Sequence, residues 1–321
     1  MTGNGPPLFR ERLRHGAPLL LDAAMGSDLN RRGLRTTLPL WSALGLLERP
    51  ELVRQIHLDN LLAGSDIITT DTFCTTGSTL RKAGLDPARA AELDTLAVRL
   101  AREARTTSGR PHALIAGSIA PLEDCYRPTF DTPPEIALAE HRAQARNLAA
   151  AGVDLLMVET MPTATEARIA LQAATETVLP ATIGFVCAAP EQGEPVRLLS
   201  GEPLADAVAL VLPFGPAAIF VNCAAPDVIT AALQELATLS DVQFGAYANV
   251  GHVDDEVGWS PAGGISGEGY AAHARDWLTL GSRIVGGCCG THPAHTAAMR
   301  QMIDALAFPP LPARWERGAA G

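Results

Sequence analysis

Eight short apolar runs recur along the 321-residue chain, each followed by a longer amphipathic stretch. They are PLLLDAAM (18–25), DIITTDTF (66–73), HALIAGSI (112–119), DLLMVET (154–160), ATIGFVC (181–187), AAIFVNC (217–223), VQFGAYAN (242–249) and SRIVGGCC (282–289). Runs of this length suit buried parallel strands, although periodicity alone does not separate them from short buried helix pieces. Helical patterns lie between them. Residues 49–64 and 133–152 each end in Gly, TATEARIALQAAT follows Pro162, PDVITAALQELATL opens on Pro-Asp, and GYAAHARDWLTLG ends at Gly281. Eight strands, seven crossovers and a closing helix predict a (β/α)8 barrel. A doubly wound sheet shares the alternation, but the count of eight favours the barrel. No repeat or linker divides the chain. A single domain over 1–321 is expected, with its core at about 16–308 and a Pro-rich tail at 309–321. Long loops are expected after the fifth run (189–203) and the seventh (252–269).

Composition narrows the function. A net charge of −10 gives no electrostatic case for nucleic acid or a membrane surface. No stretch approaches the roughly 18 apolar residues of a membrane span. The start, MTGNGPPLFRERLRHG, is polar and does not read as a signal peptide, so a cytoplasmic protein is expected. Six cysteines in such a chain favour metal binding, catalysis or buried thiols over a disulfide framework. Lysine occurs once, as Lys82, which argues against Schiff-base chemistry.

In a barrel, chemistry gathers at the C-terminal ends of the strands. Those ends carry Asp22, then Thr70, Asp71 and Thr72, then Ser118, Glu159 and Thr160, Asn222 and Cys223, Asn249, and finally Cys288 and Cys289. Buried carboxylates are costly unless paired, so several on one rim suggest a polar ligand. The adjacent cysteines pose a sharper question, since successive strand residues point to opposite sides. Gly286, Gly287 and Gly290 let the backbone leave strand geometry there. Cys223 is separated from the last strand by one strand, so three thiolates can converge. Three protein ligands and an open position make the catalytic rather than the structural pattern of zinc. Buried thiols, a vicinal disulfide, zinc completed by His292 or His295, and a phosphate-binding turn at GGCCGTHP remain alternatives. Cys74, Cys125 and Cys187 are expected to be inert.

Taken together, LLLDAAMGSDL, TTDTF, GSIAP, DLLMVETMP, VNCAAP, YANVG and GGCCGTHPAH resemble the zinc-dependent homocysteine S-methyltransferase family over nearly the whole chain. The resemblance implies a (β/α)8 barrel with Zn2+ held by Cys223, Cys288 and Cys289, and homocysteine's thiol at the open position. It places Asp22 and Glu159 at the acidic positions associated with the amino-acid substrate. Asn249 matches a position that approaches the zinc in some members when substrate is absent. The chain departs from the family pattern at Ala23 and Ala24, where Gly-Gly is usual, at Asp71, where Asn is usual, and in YANVG, which replaces Tyr-Pro-Asn.

The expected reaction is methyl transfer from a small cationic donor to the thiol of homocysteine, giving methionine. S-Methylmethionine is the favoured donor, S-adenosylmethionine the next and betaine the third. Folate- and cobalamin-dependent relatives carry additional large domains, and since the barrel is expected to use the whole of this sequence, a free small-molecule donor is expected. Asp22 and Glu159 are expected at the substrate ammonium, Thr72 and Ser118 at its carboxylate, and Trp259 near the donor cation. The plain reading of these carboxylates and hydroxyls is structural: partners of a nearby Arg or of backbone groups. A methyltransferase for another thiol or selenol, a zinc-binding barrel without catalysis, and a metal-free lyase for phosphorylated substrates are the competing functions.

Overall fold

The computed structural model describes residues 6–190, 193–254, 258–260 and 264–306. Seven of the eight runs supply strands in sequence: β1 (Leu19–Leu20), β2 (Ile67–Thr69), β3 (Leu114–Ile119), β4 (Leu155–Met161), β5 (Ala181–Phe185), β6 (Ile219–Asn222) and β7 (Phe244–Ala248). A small antiparallel pair follows, β8 (His252–Asp254) with β9 (Gly258–Ser260), inside the segment expected to be a loop. The eighth run supplies β10 (Ile284–Gly287). All barrel pairings are parallel, in the order β1-β10-β7-β6-β5-β4-β3-β2. A parallel bridge from Leu21 to Ile67 joins the two ends. The fold is a closed (β/α)8 barrel.

Alternation along the strands sorts the side chains into two cores. Leu19, Leu21, Ile67, Leu114, Ala116, Leu155, Met157, Phe220, Tyr247 and Ile284 share the barrel interior. Their neighbours Leu20, Ile68, Ile115, Leu156, Val158, Ile219, Val221, Ala246 and Val285 face the helices. Continuing the inner parity places Ser118, Glu159 and Cys288 on the inner face at the rim.

The helices match the expected segments closely: Pro50–Ala63, Pro134–Ala151, Ala164–Thr175 and Pro226–Leu239. Gly64 and Gly152 close the first two in the left-handed conformation that favours glycine. The helix Gly267–Thr279 starts earlier than the apolar pattern suggested, because the Ser266 hydroxyl caps it by accepting from Gly269 N at 3.2 Å.

Two further features differ from the sequence reading. The first and second ladders are shorter than their apolar runs, because the chain turns off the sheet at Asp22 and Thr70. The polar start of the chain also holds a helix, Pro6–Arg14, whose Phe9 and Leu13 join the interior cluster. Buried Arg283 ties it down by donating to Leu13 O at 3.3 Å and Gly16 O at 2.7 Å. The packed body therefore begins before residue 16. The tail 309–321 lies outside the described residues. Among the described residues no helix is long and apolar enough to cross a membrane.

Candidate metal and substrate site

The GGCCG turn brings both neighbouring thiols to one centre, and each of its parts has a steric reason. A Cβ on Gly286 would lie 2.4 Å from Leu21 Cβ, and one on Gly287 would lie 2.3 Å from Thr291 Oγ1. Only glycine allows Leu21 and Thr291 to approach this closely. Thr291 Oγ1 donates to Cys288 O at 2.7 Å and accepts from Ala24 N at 3.2 Å. Cys288 N donates to Ala248 O at 2.9 Å, Val250 N donates to Cys289 O at 2.7 Å, and Gly290 has φ +83°. The turn is thus tied to β7 and to the segment after β1.

Across β7, Cys223 has φ +58°, an unusual value for a residue with a side chain. Its amide donates to Tyr247 O at 3.0 Å, which holds that conformation. The ligand atoms of Cys223, Cys288 and Cys289 all lie within 4.8 Å of one another, and Cys288 Sγ is 3.0 Å from Cys223 Sγ. All three are free thiols. Sulfhydryls of Cys288 and Cys289 beside Cys223 hold its thiol well below the usual range, with help from Tyr126 and Asn249.

The acidic side of the mouth is equally ordered. A register shift between Val158 and Met161 contains Glu159 and the positive-φ residue Thr160 (φ +62°). Asn222 clamps Thr160 by accepting from its amide at 3.2 Å and donating to its hydroxyl at 2.8 Å. Gly184 leaves room for that clamp, since a Cβ there would lie 2.7 Å from Asn222 Oδ1. Glu159 accepts from Ser118 Oγ at 2.5 Å and from Tyr247 Oη at 3.0 Å. Asp22 accepts from Thr69 N at 2.8 Å and from Thr69 Oγ1 at 3.1 Å. Each carboxylate residue is only 7% exposed, so burial pushes each carboxyl up to about 7. The hydrogen bonds oppose that shift in both. The charge of Glu159 adds to it at Asp22, and the charge of Cys223 adds to it at Glu159. Two buried carboxylates raised in this way favour a cationic guest.

The remaining expected residues take different positions. Thr72 gives its proton to Ser118 O at 2.8 Å and lies 2.9 Å from Thr70 Oγ1, so it braces the rim. Ser118 spends its proton on Glu159. Asn249 Nδ2 donates to Tyr126 Oη at 3.0 Å. The side chain of Trp259 lies outside the described residues. Asp71 is buried, burial pushes its carboxyl up to about 7 against the pull of Ser42, and neither oxygen has a hydrogen bond of ordinary geometry. Ala23 N donates to Asn60 Oδ1 at 3.0 Å, so the residues at two departures from the family pattern are fixed through backbone amides.

Two tyrosines were missed from the sequence. Tyr247 was readable, because it precedes Asn249 by two residues on the same strand face. Tyr126 gave no signal, since it sits in the irregular segment after β3. It comes within 3.4 Å of Cys223 Sγ. Burial, then the charge of Cys223, push its phenol well up, so it remains a proton donor.

Residues 19–303 match the homocysteine S-methyltransferase family. The homocysteine S-methyltransferase of Escherichia coli (strain K12) is 36% identical over 314 residues, covering 94% of this chain and 99% of that protein. The chain belongs to the homocysteine S-methyltransferase family. Homocysteine S-methyltransferase YbgG of Bacillus subtilis (strain 168) is 32% identical over 86% of this chain and 91% of its own length. The crystal structure of the E. coli homocysteine methyltransferase MmuM in its metallated form superposes with a TM-score of 0.77 at 33% identity, covering 92% of this chain and 99% of that one.

The donor set suits a soft, tetrahedral ion. Zinc with Zn–S distances of ~2.3 Å places its sulfurs ~3.8 Å apart, within the spread of this cluster. The two histidines raised as further ligands are engaged elsewhere. His292 and His295 cap the helix Pro293–Ala305, and His295 Nε2 lies 3.0 Å from Ile265 O. Cys187 is buried in the outer core, and burial pushes its thiol up to about 12. Lys82 donates to Leu122 O at 2.8 Å and to Glu123 Oε2 at 2.9 Å.

Proposed function

We propose that this chain holds Zn2+ through Cys223, Cys288 and Cys289 and transfers a methyl group to the thiol of homocysteine from a small sulfonium donor, S-methylmethionine first. The observation that carries the reading is the convergence of three free thiols, within 4.8 Å, beside two buried carboxylates on the same rim. Zinc, when bound, favours the deprotonated form of a coordinating thiol and so supplies a nucleophile at neutral pH. The chain's own residues do the rest. Asp22 and Glu159 receive the ammonium of homocysteine. Ser118 and Tyr247 fix the Glu159 oxygens and keep the carboxyl ionisable, and Thr69 does the same for Asp22. The Asn222 clamp holds the strained backbone that aims Glu159.

The thiolate sulfur attacks the methyl carbon, the new S–C bond forms, and the sulfonium C–S bond breaks with its electron pair going to the leaving sulfur. With S-methylmethionine both products are methionine. No proton moves in that step, which fits the absence of a histidine from the described site. The negative mouth favours a positively charged donor, and the protein's main contribution is in-line alignment.

Zinc-loaded protein incubated with homocysteine and a methyl-labelled donor tests the reading. S-Methylmethionine, S-adenosylmethionine and betaine are compared separately, and labelled methionine is measured by mass. Label transferred fastest from S-methylmethionine is expected. No labelled product from any donor, in protein that holds zinc, would refute the assignment.

A further inference from the structure

The segment after β3 brings a phenol against the thiol cluster, and the hydrogen bonding gives it a direction. The Asn249 Nδ2 group carries only protons, so Tyr126 Oη accepts from it at 3.0 Å. The phenolic proton is then free for Cys223, whose sulfur and main-chain oxygen each lie 3.4 Å away. This segment is anchored independently of the cysteines. Leu122 O accepts from Lys82 and Leu122 N donates to buried Glu166 at 2.8 Å. Glu123 accepts from Thr132 at 3.0 Å, and Arg127 pairs with Asp131. The phenol is therefore delivered by a fixed support.

We infer that Tyr126 is a positioning residue for the metal centre: its hydroxyl donates to the Cys223 sulfur and draws charge from that thiolate. The inference rests on the reading of the three cysteines as zinc ligands. Three thiolates around a divalent ion carry a net charge of about −1, which weakens the ion's pull on a further thiol. A hydrogen bond to one protein sulfur reduces that sulfur's donor strength. The ion then remains electrophilic enough to take homocysteine's thiol with loss of its proton at a lower pH. Partners in this outer position commonly change metal affinity or activity by roughly 10- to 100-fold.

Tyr126→Phe removes the hydroxyl and keeps the ring. Three readouts apply: zinc affinity by competition with a chromophoric chelator, the thiolate-to-metal charge-transfer band of the cobalt(II)-substituted protein, and the pH dependence of homocysteine binding to that cobalt form. We expect zinc retention to tighten by up to roughly 10-fold, the band to shift, and homocysteine uptake to require a higher pH. Asn249→Ala leaves the phenol in place without its fixed partner, and should move all three readouts in the same direction by less. The melting temperature of the metal-stripped variants checks the fold, and Asn249→Ala carries the test if Tyr126→Phe does not fold. Wild-type affinity, band and pH dependence in Tyr126→Phe would overturn this inference alone. Wild-type protein that holds no zinc would overturn it together with the functional reading beneath it.

Discussion

Replacing Tyr247 by Phe isolates the support beneath Glu159. The ring packs edge-on against Phe220 at 5.5 Å and 71°, and Phe keeps that contact. What disappears is one hydrogen bond of 3.0 Å to Glu159 Oε2. A hydrogen bond to a charged group contributes about 1.5–3 kcal/mol. Ser118 still holds the other oxygen, so the lower end applies, and about 1.4 kcal/mol is tenfold in binding. Removing the donor also pushes the Glu159 carboxyl above its value of about 7, because the Tyr247 bond opposes the effect of burial. At neutral pH more of the variant carries a neutral Glu159, which receives an ammonium poorly. The KM for homocysteine should rise roughly tenfold while kcat changes little. The acid limb of the kcat/KM profile should move to higher pH. Steady-state kinetics between about pH 6 and 8.5, with zinc content measured in parallel, tests this. A variant with normal KM and an unmoved acid limb would refute Glu159 as the ammonium receptor, and loss of zinc instead would show that Tyr247 serves the thiol side.

Three further outcomes follow from other parts of the structure. Cys288→Ser should lose both tight zinc binding and activity, by at least about 100-fold, as measured by metal analysis and product formation. Gly287→Ala drives a methyl group into Thr291 Oγ1, the tie that holds Cys288 O and Ala24 N. It should cost about 1–3 kcal/mol of stability and weaken zinc retention in chelator competition. Buried Asp94 accepts from Thr75 Oγ1 at 2.5 Å and Asn147 Nδ2 at 2.9 Å, yet burial pushes its carboxyl up to about 6 from 3.8. The folded state then binds more protons than the unfolded state between about pH 4 and 6. Asp94's contribution therefore favours folding most below that window, and about 3 kcal/mol is lost as pH rises through it. Denaturant melts of metal-stripped wild type and Asp94→Asn at pH 5 and 7.5 should show a weaker pH dependence in the variant.

The barrel was legible because apolar runs and glycine-ended helical stretches are local signals, and eight of them leave few topologies. Rim parity was legible for the same reason. Glu159 follows Leu155 and Met157 on the inner face of one strand, and Cys288 follows Ile284 on the same inner face from another. The sequence did not reveal how the GGCCG turn works. The clashes that require Gly286 and Gly287 come from Leu21 and Thr291, and the first of these is distant in sequence. The floor of the barrel escaped notice because Phe9 and Leu13 stand among charged residues, and their burial depends on Arg283 far along the chain. Tyr126 escaped for a related reason. An irregular segment has no periodicity, and its reach to Cys223 is set by tertiary anchors such as Lys82 and Glu166. For Thr72 and Ser118 the residue type fits a substrate carboxylate and structural bracing equally, and only the fold shows that Thr72 donates to Ser118 O and Ser118 to Glu159.

X-ray absorption at the zinc edge, with and without homocysteine, tests the central claim most directly. Zinc-loaded protein should show three sulfur neighbours at ~2.3 Å, becoming four when homocysteine is added. A shell with fewer than three sulfurs, or one that homocysteine leaves unchanged, would contradict the account.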